Sequence, residues 1–261
     1  MFEGYYPPAN YNILSEKMTK LKNEGKITTA NHRTFLVYHE STFHKLKSAE
    51  HCLDEMIKLV AEMQKNPLSS FRTYTSVATK TSEFSATPII EEERDTRFLL
   101  DFHAETFFEK AFSARDILAQ EINIFYPCFS NEQDISLENM QKELNTRYPR
   151  KKITKYLNNS RKQEKWQRGL DQYRVCSVHR RILSKETSVS SETFSFTGST
   201  TPKLEIYLCD NPLRTGGATF RKKRKLVNYC RSVFVDLLKF VDEIYGIVEN
   251  ELGKRERVPL H

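Results

Sequence analysis

From Thr28 to Lys65 the apolar residues Phe35, Phe43, Leu46, Ala49, Leu53, Met56, Ile57, Val60 and Met63 recur at steps of three and four. That spacing lines one face of an α-helix, so the stretch predicts one long amphipathic helix over 28–65. Asn66-Pro67 ends it, because proline cannot continue the hydrogen-bond ladder. The following "SSFRTYTSVATKTSEFSATP" is rich in Ser and Thr and reads as a connecting loop.

A second long helix is predicted over 91–126, with Leu100, Phe107, Ala111, Leu118, Ile122 and Phe125 along one side and Phe98, Phe102 and Phe112 along another. A helix apolar on two sides is packed from both, which places it at the centre of a bundle. Pro127 stops it. Leu137 to Leu144 suggests a short helix, and 148–183 a further helical region carrying Trp166 and Leu170. Phe194, Phe196, Leu204, Ile206 and Leu208 then alternate with polar residues, which fits a small β-hairpin near 189–209. "NPLRTGG" is a turn, and a last helix over 219–252 faces Leu226, Tyr229, Val233, Leu237, Phe240, Val241, Ile244 and Val248 inward. The expected fold is all-α: an antiparallel helical bundle with long helices and one hairpin insertion, a single domain over residues 1–261.

With 38% apolar and 29% charged residues, the chain has the composition of a globular protein with a well-solvated surface. No run approaches the ~20 apolar residues that cross a bilayer, and "MFEGYYPPANYNILSEK" lacks a basic region followed by an apolar one. The expected location is therefore cytoplasmic, with no membrane partner. Cys52, Cys128, Cys176, Cys209 and Cys230 are scattered, odd in number and without metal-ligand or redox spacing, so they read as reduced thiols. The net charge of +7 favours polyanionic partners, because Lys and Arg gain affinity by releasing counterions from phosphates.

"YRVCSVHRR", residues 173–181, carries the chemistry. Arg174 and His179 stand five residues apart, about 7.5 Å along a helix axis and about 140° around it. A guanidinium fork grips phosphate, and a histidine titrating near neutrality moves protons to or from a ribose hydroxyl. In metal-independent RNA cleavage, His179 is then the general acid or base, and Arg174 stabilises charge on the pentacoordinate phosphate. The other reading is structural: Arg174 bonds a carboxylate of the central helix, such as Asp116 or Glu109, while His179 caps or packs. Arg180 and Arg181 either are solvated or extend a phosphate-binding strip.

Arginine, a short spacer and histidine, late in an all-helical chain, resembles the signature of HEPN-domain proteins. "FLLDFHAETFFEKAFSARDILAQEIN" before "LDQYRVCSVHR", and "CDNPLRTGG" before a closing helix, are similar to uncharacterised bacterial helical proteins of this type. The resemblance covers roughly residues 91–246. It implies a dimeric protein that binds RNA, a ribonuclease or a toxin-antitoxin or defence component, with an antitoxin-like protein as a further partner. Active members of that family usually carry Asn or Asp directly after the arginine. Val175 stands there instead, so the resemblance also fits a member that binds without cutting. The alternative is a non-catalytic protein- or nucleic-acid-interaction module.

Two further basic stretches weigh on this choice. "FRKKRKLVNY" sets Arg221, Lys222, Lys223, Arg224 and Lys225 at the expected start of the last helix, where cations oppose the helix dipole. They read as a solvated helix end or as a nucleic-acid contact. "RYPRKKITKYLNNSRKQEKWQR" interleaves cations with Tyr148, Tyr156 and Trp166, which either stack on single-stranded bases or point into the core. His32, His39, His44 and His51 lack metal-ligand spacing and are expected at the surface or its boundary. No metal and no cofactor are expected. Gly-rich phosphate loops and serine or cysteine nucleophile motifs are absent from the sequence as well.

Overall fold

The computed structural model describes residues 8–65, 91–163, 165–178, 185–193, 200–210 and 220–252. Two long helices dominate, α2 (Thr29–Lys65) and α3 (Glu91–Phe125), preceded by α1 (Ala9–Asn23). Phe35 meets Phe125 at 5.8 Å between ring centroids, His39 lies 3.0 Å from Glu121, and His51 meets His103 at 6.3 Å. Rising numbers on α2 against falling numbers on α3 make the pair antiparallel. α4 (Leu137–Arg147) starts at Ser136, whose side chain accepts the Asn139 N–H and so satisfies one of the first-turn donors.

The region 148–183, expected to hold the motif helix, contains two helices, α5 (Lys152–Gln163) and α6 (Lys165–Val178). α3 touches α2, α4, α6 and α7 (Leu226–Leu252), which is the central position that its two-sided apolar pattern predicts. The pattern misleads at one end. Phe98 and Phe102 are 66% and 52% exposed, and only Phe112 of that stripe packs against the core.

Strand β1 (Lys185–Thr193) pairs antiparallel with β2 (Thr200–Leu208), Lys185 opposite Leu208 and Thr193 opposite Thr200. Leu204, Ile206 and Leu208 are buried, as alternation requires, while Phe194 and Phe196 lie outside the described residues. A two-residue strand β3 (Arg224–Lys225) adds to β2 opposite Leu208 and Tyr207. The last helix therefore begins at Leu226 rather than at residue 219. Lys223 has φ +45°, a left-handed conformation that interrupts a right-handed helix.

α1 was not expected. It buries Leu14, Met18 and Leu21, and Gly25 at φ +68° allows the turn just beyond its end. Asn10 N–H donates to Asp242 Oδ1 at 2.8 Å and Lys17 Nζ lies 2.5 Å from Glu249 Oε1, so α1 runs parallel to α7. Among the described residues no helix is long and apolar enough to cross a membrane.

Candidate nucleic-acid interface

Two adjacent residues of α6 serve different neighbours, because successive helix positions diverge by about 100°. Tyr173 is fully buried and stacks on Phe108 at 4.8 Å. Its hydroxyl donates to the Cys209 carbonyl at 2.6 Å and accepts from Arg224 Nη1 at 3.0 Å. Burial pushes this hydroxyl well above the ordinary phenol range, so it remains a donor.

Arg174 turns instead into the seam between α6 and α3. Its guanidinium carbon lies 4.5 Å from the Phe112 ring centroid, and that of Arg115 lies 4.4 Å from the same centroid. Arg115 is buried and its Nη1 lies 2.7 Å from Asp171 Oδ1. Burial raises the Asp116 carboxyl, while the charge of Arg115, the Leu137 N–H and the charge of Arg174 oppose that rise. Arg174 is thus part of a cation-π and charge cluster on the α3–α6 seam, in which burial of Asp116 outweighs the opposing charges. Its charge acts on Asp116, whereas Glu109 pairs with Lys110 at 2.9 Å. His179, Arg180 and Arg181 lie outside the described residues.

The basic run 221–225 does not open a helix. It forms a turn and then β3, with Arg221, Lys222, Lys223 and Lys225 exposed. The Lys222 N–H donates to Asp210 Oδ2 at 2.9 Å and the Lys223 N–H to the Phe220 carbonyl at 3.2 Å. Lys223 Nζ sits 5.0 Å from the Tyr207 ring centroid, Arg224 lies over Tyr229 at 5.4 Å, and Lys225 pairs with Glu205. Arg224 is therefore a tether that fastens the turn to Tyr173. The side chains of Arg221 and Lys222 make no bond among the described residues.

The stretch 147–166 resolves in favour of packing. Tyr156 and Trp166 both pack on Phe240, at 5.9 and 5.7 Å, and Tyr148 meets Tyr126 edge-on at 5.7 Å. Trp166 is buried, and Tyr148 and Tyr156 are half-buried with their rings packed against the core rather than standing free as a stacking platform. Arg150, Lys152 and Lys155 are exposed, whereas Arg147 pairs with Glu143 and Lys151 with Glu251.

Of the four histidines expected at the surface or its boundary, His44 and His51 are exposed, whereas His32 and His39 depart from expectation. His32 and His39 are buried, at 8% and 1% exposure. His39 Nδ1 lies 3.0 Å from Glu121 Oε2 and its Nε2 lies 3.1 Å from the Tyr11 carbonyl, so both ring nitrogens are engaged. Glu121 Oε1 also accepts from Thr42 Oγ1 at 2.5 Å and from the Tyr245 hydroxyl at 3.1 Å. Sequence periodicity could not expose this, because a histidine on an apolar face shows its burial only once a partner 82 residues away is in place. Among the described residues no group of three or more His, Cys, Asp or Glu is placed to hold a metal ion. Cys52, Cys128, Cys209 and Cys230 are buried free thiols, and burial pushes Cys52 and Cys128 up to about 11, which suppresses their thiolates.

Comparison of the chain with protein-family models, with curated proteins and with solved structures finds no match.

Proposed function

We propose that this protein is a HEPN-like helical bundle that binds RNA, with the turn Arg221–Lys225 as its principal phosphate contact. The observation that supports the reading is the way this turn is held. Asp210, Tyr207, Tyr229 and Tyr173 fix its backbone and Arg224, while Arg221 and Lys222 project from it. A turn whose backbone is already fixed loses little backbone freedom when its cations meet a polyanion, which favours binding. The packing of Tyr148, Tyr156 and Trp166 against the core argues for backbone contact rather than base stacking in the stretch 147–166. Fluorescence anisotropy with a labelled mixed-sequence RNA tests this reading. An Arg221→Glu/Lys222→Glu variant is expected to bind at least ~10-fold more weakly; unchanged affinity would remove the turn from the interface.

A second reading adds catalysis: a homodimer in which Arg174 and His179 cleave RNA without metal, alone or restrained by an antitoxin-like partner. What favours it is that Arg174 is only half-buried on α6, where it is not closed off from solvent. Incubation of RNA with the protein in EDTA, beside Arg174→Ala and His179→Ala, separates the readings. New RNA ends lost in both variants support cleavage; intact RNA leaves a binding protein in which Arg174 serves the α3–α6 seam. Sedimentation equilibrium tests the homodimer.

A further inference from the structure

We propose that the cleft between the start of α2 and the end of α3 is a nucleobase site selecting guanine, presented either as a free nucleotide or within RNA. The proposal deepens the RNA-binding reading and rests on it for the RNA source alone. The cleft has a volume of about 560 Å³, within the range of small-ligand sites. Its lining combines the apolar faces of Ile124 and Phe129 and the ring of Tyr38 with Gln120, one anion, Glu132, and one cation, Arg147.

The wall is held rigidly. Asn123 Oδ1 accepts the N–H groups of Cys128 and Phe129 at 2.9 and 3.0 Å, and its Nδ2 donates to the Phe129 carbonyl at 3.0 Å. Gln120 Nε2 donates to the Glu132 carbonyl at 3.0 Å, and the Tyr38 hydroxyl donates to Glu132 Oε1 at 2.5 Å. These bonds use up Asn123 as scaffold, and they leave Glu132 Oε2, the Gln120 side-chain oxygen and the two terminal nitrogens of Arg147 without a partner among the described residues.

Those open groups define the ligand. A carboxylate and an amide oxygen accept hydrogen bonds, so they suit an edge that only donates. The guanine N1–H and N2 amino group present two adjacent donors, whereas adenine and cytosine set an unprotonated ring nitrogen against the carboxylate and uracil flanks its single N–H with carbonyls. Arg147, whose Nε is engaged by Glu143 at 3.0 Å, turns its remaining donors to a phosphate. Planar rings and apolar walls accommodate the base itself. Burial pushes the Tyr38 hydroxyl up to about 12, so it stays a donor and fixes Glu132 at neutral pH.

The test titrates the full-length protein with GMP, AMP, CMP, UMP and guanosine, by chemical-shift or calorimetric readout. GMP is expected to bind, and more tightly than the other nucleotides. Glu132→Gln is expected to weaken GMP roughly 10-fold or more. Arg147→Gln is expected to abolish the advantage of GMP over guanosine. Equal binding of all four nucleotides, or none up to ~5 mM, would overturn the proposal, as would GMP binding untouched by Glu132→Gln. RNA oligonucleotides with and without guanine distinguish the sources: preference for the guanine-bearing strand places the site on RNA, and GMP binding without that preference makes it a free-nucleotide site. The Arg221→Glu/Lys222→Glu variant separates the two claims. GMP binding with no RNA binding retires the RNA reading and keeps the cleft, while RNA binding with no GMP binding retires the cleft alone.

Discussion

Arg224 reaches from the turn before α7 to the Tyr173 hydroxyl, 3.0 Å away, and so ties the basic turn to the helix that carries Arg174. The same hydroxyl donates to the Cys209 carbonyl at 2.6 Å, which joins the end of β2 to both. Tyr173→Phe removes the donor and leaves a buried carbonyl and a guanidinium without their partner. Urea unfolding should show a loss of about 1–3 kcal/mol, and a double-mutant cycle with Arg224→Ala should show that the two changes are not additive.

Glu121 is the acceptor for three groups on two other helices, His39, Thr42 and Tyr245. Replacing it by Ala strands a buried imidazole and two hydroxyls, with an expected cost of about 3–5 kcal/mol. Because His39 also holds the Tyr11 carbonyl, amide exchange in α1 should accelerate more than in α5, which contributes no residue to this network.

Asp116 has a carboxyl pKa raised by burial, so its folded form binds a proton more readily than its unfolded form does. Its contribution to stability is then complete below the ordinary aspartate range and is lost as pH rises through the raised value. Arg115, Arg174 and Asp171 are the charged groups around it, and comparing wild type with Asp116→Asn cancels the remaining carboxylates. From acid to neutral pH the stability of Asp116→Asn should rise relative to wild type. A difference that stays constant with pH contradicts the assignment.

Gly169 lies where a Cβ would stand 2.0 Å from the Tyr229 hydroxyl oxygen. Gly169→Ala should cost roughly 1–3 kcal/mol by forcing α6 and α7 apart. Tyr229→Phe in the same chain should recover part of that loss in thermal unfolding, because it removes the nearest atom.

The long helices were legible because their apolar residues repeat over many turns, and a repeat of that length leaves no other period to fit. α1 was equally available, since Leu14, Met18 and Leu21 follow the same steps, but they cover too few turns to stand out beside "YYPP". The start of the last helix was misplaced because Phe220 to Lys225 has no breaker residue; the left-handed φ of Lys223 and the pairing of Arg224 with Leu208 are tertiary effects. The aromatic residues between 148 and 166 could not be assigned from spacing alone; Phe240, on another helix, decides Tyr156 and Trp166, and Tyr126 decides Tyr148. Of the motif, Arg174 finds its neighbours in Phe112, Arg115 and Asp116, which no local pattern joins to it. The cleft proposed for guanine draws on α2, α3, the loop after Pro127 and the end of α4, so its residues are scattered over more than 100 positions.

The most direct measurement is the slope of log affinity against log salt for RNA binding by wild type and by Arg221→Glu/Lys222→Glu. Loss of two phosphate contacts should reduce the magnitude of the slope by about 1.4 on a single strand, with weaker binding at every salt concentration. Identical slopes for the two proteins, or RNA binding that does not respond to salt, would contradict the basic turn as the RNA interface.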